Sequence, residues 1–249
     1  MKRPLAIFCL SRNESVFLPL WLRYYARTGA DLYVLDHASD DGSTDPGPIP
    51  FARLPVDHDT TDDADWMLEP VESCQRSLLT KYETAVYAET DEFLVPDPHY
   101  RGGLKEYLSA RFDATLTAVG YDVCGTAASP PLAGTDDPLA GRHWKRNDRY
   151  DKTLISRIPL RWEVGFHRPA HGDEKYHAPD PGLFLLHLHY ACRETAWERI
   201  RKRLAGRAPH PNAMGWQNKF TERGEFDRHF DAAVAGAMPI PAWAVGALR

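Results

Sequence analysis

The chain has 249 residues, 43% of them apolar and 26% charged, with a formal charge of -5. That is the composition of an ordinary globular protein long enough for one large domain, and without a strongly basic domain it argues against nucleic acid as the main partner. Cys9, Cys74, Cys124 and Cys192 lie far apart with no Cys-x-x-Cys pair, a pattern of buried or free thiols in a cytosolic protein rather than of a zinc site.

In chain order, Pro4-Leu5-Ala6-Ile7-Phe8-Cys9-Leu10 is a continuous apolar run of buried-strand length that ends in Ser11-Arg12-Asn13-Glu14. It is too short for a signal peptide with a cleavage site, and no later span approaches the length needed to cross a bilayer. Phe17, Leu18, Leu20, Trp21, Leu22, Tyr24 and Tyr25 then recur with a helical period. A second run, Leu32-Tyr33-Val34-Leu35, ends in the polar stretch from Asp36 through Asp45. Strand, helix, strand is a βαβ unit, and in open α/β sheets ligands bind outside the carboxyl ends of the strands.

A third apolar run, Ala85-Val86-Tyr87-Ala88, delivers Glu89, Asp91 and Glu92 before Phe93-Leu94-Val95. Carboxylates gathered at a strand end repel one another unless a cation or a hydrogen-bond network compensates them, and hard oxygen ligands suit magnesium or manganese. A solvated acidic turn is the plainer reading of the same residues. Beyond it, 104–111 reads as a short helix and 114–121 as an alternating strand, while 129–141 reads as an exposed loop of the kind that acts as a lid. Residues 152–157 and 162–166 read as strands and 169–182 as a loop. The run 183–190 alternates into a strand end carrying His187 and His189 on one face. Residues 193–207, with Arg199, Arg201, Lys202, Arg203 and Arg207, read as an amphipathic helix whose basic face is either solvated or in contact with anionic lipid or diphosphate. The tail from 209 onward, with Trp216, Phe220, Phe226, Phe230 and Trp243, is aromatic enough to pack back on the domain.

Four motifs in order carry a resemblance: Arg12-Asn13-Glu14, Asp36-x-x-Ser39-x-Asp41-Gly42-Ser43, Asp91-Glu92-Phe93-Leu94 and His189-Tyr190. Together they look like the family-two-like glycosyltransferases of GT-A fold, in the branch with an Asp-x-Asp-Glu-Phe-Leu element. The resemblance covers residues 4–205 and departs from the pattern at Glu89, where that element begins with Asp. It implies a GT-A-like three-layer α/β/α sandwich around a mostly parallel mixed sheet. A single domain, 1–249, would hold the nucleotide sugar and metal in 1–100, an acceptor side in 101–205 and a packed tail in 206–249.

Within that family likeness, Arg12, Asn13, Glu14, Asp36, Ser39 and Asp41 are expected to bind the donor, a UDP-sugar as first guess. Asp36 is suited to a base or ribose hydrogen bond, or alternatively to an Asx turn or helix cap. Asp91, helped by Glu89 and His189, is expected to hold manganese or magnesium bridging the donor phosphates, with Glu92 orienting the loop. His187 and His167 are the other candidate ligands. Asp173 and Glu174 are the candidate bases of an inverting transfer, with Glu163 a further choice. Trp144, Trp162, His167, His171 and Tyr176 would wall the acceptor side. The implied partners are a nucleotide-sugar donor and a glycan or lipid-linked glycan acceptor, in bacterial surface-glycan assembly in the cytoplasm or at the inner face of the membrane. Two alternatives keep the same loops: a catalytically silent sugar-nucleotide or glycan-binding module, and a nucleotidyltransferase. The latter would need a glycine-rich phosphate loop that Leu10-Ser11-Arg12-Asn13 lacks.

Overall fold

The structure, a computed structural model, describes residues 1–57, 65–100, 102–111, 114–170, 178–205, 220 and 222–249. In chain order its elements are β1 (Arg3–Ser11), α1 (Phe17–Ala26), β2 (Asp31–Asp36), β3 (Ala52–Pro55), α2 (Leu68–Lys81), β4 (Tyr82–Tyr87), β5 (Glu92–Pro96) and α3 (Leu104–Ser109). They continue with β6 (Thr115–Cys124), β7 (His143–Arg146), β8 (Lys152–Ser156), β9 (Asp180–His187), α4 (Arg193–Ala205), α5 (Arg223–Val234) and β10 (Met238–Pro239).

The fold is α/β around one mixed sheet. β3, β2, β1 and β4 lie side by side and parallel, in that order. β1 is buried along most of its length, which is why its sequence is an unbroken apolar run rather than an alternating one. The chain moves outward from β1 through β2 to β3, then returns through α2 to lay β4 on the other side of β1. That reversal puts the switch point of the strand order between β1 and β4, where sheets of this kind open a crevice for ligands. Beyond β4 the sheet continues through β8, β6, β7 and β10, each antiparallel to the last. β9 runs parallel to β6 and carries β5 on its other side.

Several expectations are corrected. Residues 162–166 do not form a strand: Trp162 makes a single bridge to Pro169, and the backbone between them turns through positive φ at Gly165 and Phe166. The 129–141 segment is a loop with Pro130, Pro131, Ala133, Gly134, Asp136 and Gly141 exposed, as expected, but it is anchored: its Leu132 and Leu139 are buried and the Arg142 guanidinium donates to the carbonyls of Pro130, Ala140 and Ala191. The described part of the tail does pack back: Phe226 and Phe230 are buried, and Trp243 lies 5.7 Å from Trp144 and 5.2 Å from Phe184, centre to centre. No helix among the described residues is long and apolar enough to cross a membrane.

One glycine positions a site residue. A Cβ at Gly120 on β6 would run into the backbone carbonyl of Tyr150, which crosses the strand there. The crossing is fastened by the Gly120 N–H donating to Asp151 Oδ1 at 2.9 Å and the Asn147 N–H donating to the Gly120 carbonyl at 3.1 Å. Gly120→Ala is therefore expected to lift Tyr150 off the strand and destabilise the fold by about 1–3 kcal/mol, the usual range for overpacking. A urea denaturation midpoint equal to wild type would show that the crossing yields freely.

Candidate functional site

The loops after β1 and β2 are fastened to each other by the residues expected to bind a donor. Asn13 adopts a left-handed backbone (φ 55°), which asparagine tolerates better than most residues. Its Nδ2 donates to Asp40 Oδ1 at 2.8 Å while its Oδ1 accepts the Asp40 N–H at 2.9 Å. Ser39 Oγ accepts the Asn13 N–H, and Asp41 Oδ2 accepts the Ser15 N–H, both at 3.1 Å. Asp36 lies at the strand end but is only 2% exposed. Its Oδ1 accepts the Ser39 N–H at 3.0 Å, and its Oδ2 accepts from Thr44 Oγ1 at 3.3 Å and Arg53 Nε at 2.7 Å. Burial pushes this carboxyl up, yet the bonds from Ser39 and Arg53 prevail and hold it below its usual value. Asp36 thus organises the turn, and the half-exposed Arg53 is the group it presents outward. Arg12 is exposed and Glu14 half-buried.

The turn after β4 is clamped between two strand ends. The Ala88 N–H donates to the Phe8 carbonyl at 3.0 Å and the Leu188 N–H to the Asp91 carbonyl at 2.8 Å, so Asp91 sits where β1, β4 and β9 all end. Its Oδ2 lies 3.5 Å from His187 Nε2 and 4.0 Å from His189 Nδ1. Asp91, His187 and His189 offer three ligand atoms within 4.8 Å of one another, a group that could hold a metal ion. Behind His187, Asp122 Oδ1 accepts from Nδ1 at 2.8 Å, and Asn147 Nδ2 donates to Asp122 Oδ2 at 2.7 Å. A carboxylate behind an imidazole is the usual way to aim its other nitrogen at a metal. Tyr150 stacks on the same ring at 4.0 Å.

Charge is closely balanced at this point. Burial pushes the His187 imidazole down, but Asp122 and Asp91 outweigh it and raise the group to about 9. Burial pushes Asp91 up, and Arg199 with His187 and His189 holds it well below the usual carboxylate range. Arg199, expected on a solvated helix face, turns inward instead: its side chain is 10% exposed and pairs with Asp91 and Glu14. The other two acidic residues pair with a buried lysine, although Glu92 lies directly across from His187 in the β5–β9 pairing. Lys152, with no exposed surface, places Nζ 2.9 Å from Glu89 Oε2 and 2.5 Å from Glu92 Oε1. Burial pushes this ammonium down and the two glutamates raise it above its usual value. Glu92 also accepts the Glu89 N–H at 3.1 Å, closing the turn. Glu89 is therefore a partner of Lys152 here, and the two residues grouped with Asp91 are His187 and His189.

On the expected acceptor side, Trp144 is half-buried and stacks on Tyr121 at 4.3 Å. His167 packs against Tyr150 at 5.0 Å and bonds to the Arg149 carbonyl. Trp162 is buried, its indole N–H donating to the Thr153 carbonyl at 3.0 Å, so it is core rather than platform. Asp173, Glu174, Tyr176 and His171 lie outside the described residues. Sequence reasoning missed Asp122, Asn147, Lys152 and Tyr150. The available signal was a lone charge on an otherwise apolar strand, Asp122 in β6 and Lys152 at the head of β8. No protein-family model matches the chain, and no curated protein matches it.

Proposed function

We propose that the chain is a metal-assisted glycosyltransferase of GT-A type, moving a sugar from a nucleoside diphosphate sugar to a hydroxyl of a glycan or lipid-linked glycan. The observation that carries this reading is the convergence of Asp91, His187 and His189 at the ends of β4 and β9. The group lies where the strand order reverses about β1, the place where open α/β sheets take nucleotides. The four ordered motifs are the reason for naming a sugar nucleotide, with UDP as the first choice.

The donor set fits the expected cation. One carboxylate and two imidazoles suit manganese better than magnesium, which prefers an all-oxygen shell, and the same set suits ferrous iron. A divalent ion held there would supply Lewis-acid compensation for the charge of a departing diphosphate. The chain's own residues do the remaining work. Asp122 and Asn147 orient His187, the Lys152 pair holds the turn that carries Asp91, and Asn13 with Ser39 and Asp41 keeps the first two loops in register. The acceptor proton would pass to a carboxylate, with Asp173, Glu174 and Glu163 as candidates.

Calorimetry of UDP with manganese and with chelator, followed by a screen of sugar nucleotides for turnover, tests the reading. Binding that is equal in both conditions, or no donor turned over, would refute it; nucleotide held without release of the sugar is the mark of the silent binding module. Asp122→Asn keeps the shape and a hydrogen-bond acceptor behind His187 but removes the charge. It is expected to weaken manganese binding about 10–100-fold with the fold retained, the usual cost of losing an outer-shell carboxylate. Unchanged manganese affinity would make Asp122 a purely structural partner.

A further inference from the structure

Helix α4 brings a guanidinium to the carboxylate oxygen that the two imidazoles face. Arg199 pairs directly with Asp91 Oδ2, donates from Nε to Glu14 Oε1 at 2.7 Å and from Nη2 to Thr90 Oγ1 at 3.3 Å. Its charge lies 4.9 Å from the Phe17 ring centre. Asp91 Oδ2 is also the atom that faces His187 Nε2 and His189 Nδ1. A divalent ion bonded to all three ligand atoms would meet this guanidinium at close range, and like charges repel strongly where little water screens them.

The helix is also built as part of a separate unit. Ala196, Phe226 and Phe230 form a cluster of their own between α4 and α5, edged by Trp197, Ile200 and Val234 and distinct from the main core. Arg193 pairs with Asp227 and Asp231, and Glu194 with Arg223, fastening the two helices to each other. Lys145 and Tyr190 tie α5 and its C-terminal end to the sheet without involving Arg199, through the Ala235 carbonyl and His229 at 2.9 Å each. Towards the strand-end loops, α4 borders a small open cleft lined by Asn13, Glu14, Phe17, Arg199 and Lys202. Lys202, 53% exposed, crosses that cleft with contacts of only 3.4 Å to the Asn13 carbonyl and 3.9 Å to Asp41.

We propose that Arg199 is exchanged for a divalent ion at Asp91, so that the ion binds only as the guanidinium of α4 leaves the carboxylate. The inference rests on reading Asp91, His187 and His189 as metal ligands. Once released, Arg199 stands beside Lys202, less than one helical turn away, and the two cations face the cleft where diphosphate oxygens would lie.

The test is manganese binding to the full chain, read by calorimetry and electron paramagnetic resonance, in wild type and in Arg199→Met, which keeps an apolar stem against Phe17 and removes the charge. Exchange predicts that Arg199→Met binds manganese about tenfold or more tightly than wild type. Equal or weaker binding by the variant overturns the exchange and leaves the metal reading intact; manganese bound by neither protein overturns both. Where circular dichroism shows the variant unfolded, hydrogen exchange on wild type decides. Faster exchange of the α4 amides at saturating manganese supports the proposal, and unchanged protection overturns it.

Discussion

Asp91→Asn is expected to reduce manganese binding by at least about 100-fold, because it removes the only carboxylate of the three-residue group among the described residues, at nearly constant volume. The same substitution strips one partner from each of two buried cations. Unpairing a buried charge outright typically costs about 3–5 kcal/mol. Here Arg199 keeps Glu14 and His187 keeps Asp122, so the expected loss of stability is smaller, about 1–3 kcal/mol. Calorimetry and urea denaturation on one preparation separate the two effects. Wild-type manganese affinity in a folded Asp91→Asn protein would remove Asp91 from the metal site.

The largest expected effect on stability is that of Lys152→Met. Lys152 and Glu92 have no exposed surface, and the ammonium is the cation shared by Glu92 and the partly exposed Glu89. Methionine fills the volume but leaves the Glu92 carboxylate buried without a counter-ion, for an expected cost of about 3–5 kcal/mol. Against a total stability of roughly 5–15 kcal/mol for a typical domain, that is a large fraction. Adding Glu92→Gln to Lys152→Met is expected to recover part of the loss, since the second change removes the orphaned charge. The check is the shift in urea midpoint at constant slope. A loss below about 1 kcal/mol in Lys152→Met would show that the turn carrying Asp91 is held by other contacts.

Much of the N-terminal half was legible as local pattern. β1, α1, β2 and the second half of β4 each announce themselves, the strands by apolar runs and the helix by its period, because burial on a sheet or against one selects residue type position by position. The polar stretches that follow the strands mark where Asn13, Asp36 and Asp91 stand. Short and partly exposed β3 and β7 carry no such pattern, and α2 hides its buried Val71, Cys74, Gln75, Leu78 and Leu79 among charged neighbours. Residues 162–166 look like a strand in composition, but positive φ at Gly165 and Phe166 turns the chain back.

What an acidic residue at a strand end is paired with depended on tertiary structure. Asp91 could be read as a candidate ligand from its place after Ala88, and His189 from its place after an apolar run. That Asp91 faces His187, while Glu89 and Glu92 face Lys152, follows from how β4, β5, β8 and β9 are laid together. Asp122 stands behind His187 because β6 and β9 pair in the register that sets those two residues side by side. Arg199 reaches Asp91 only because α4 docks across the strand ends, and its helical period alone places it on a solvated face. The physical reason is that periodicity records which side of its own element a residue occupies. Which charges meet is set by strand register and helix docking between segments far apart in the chain.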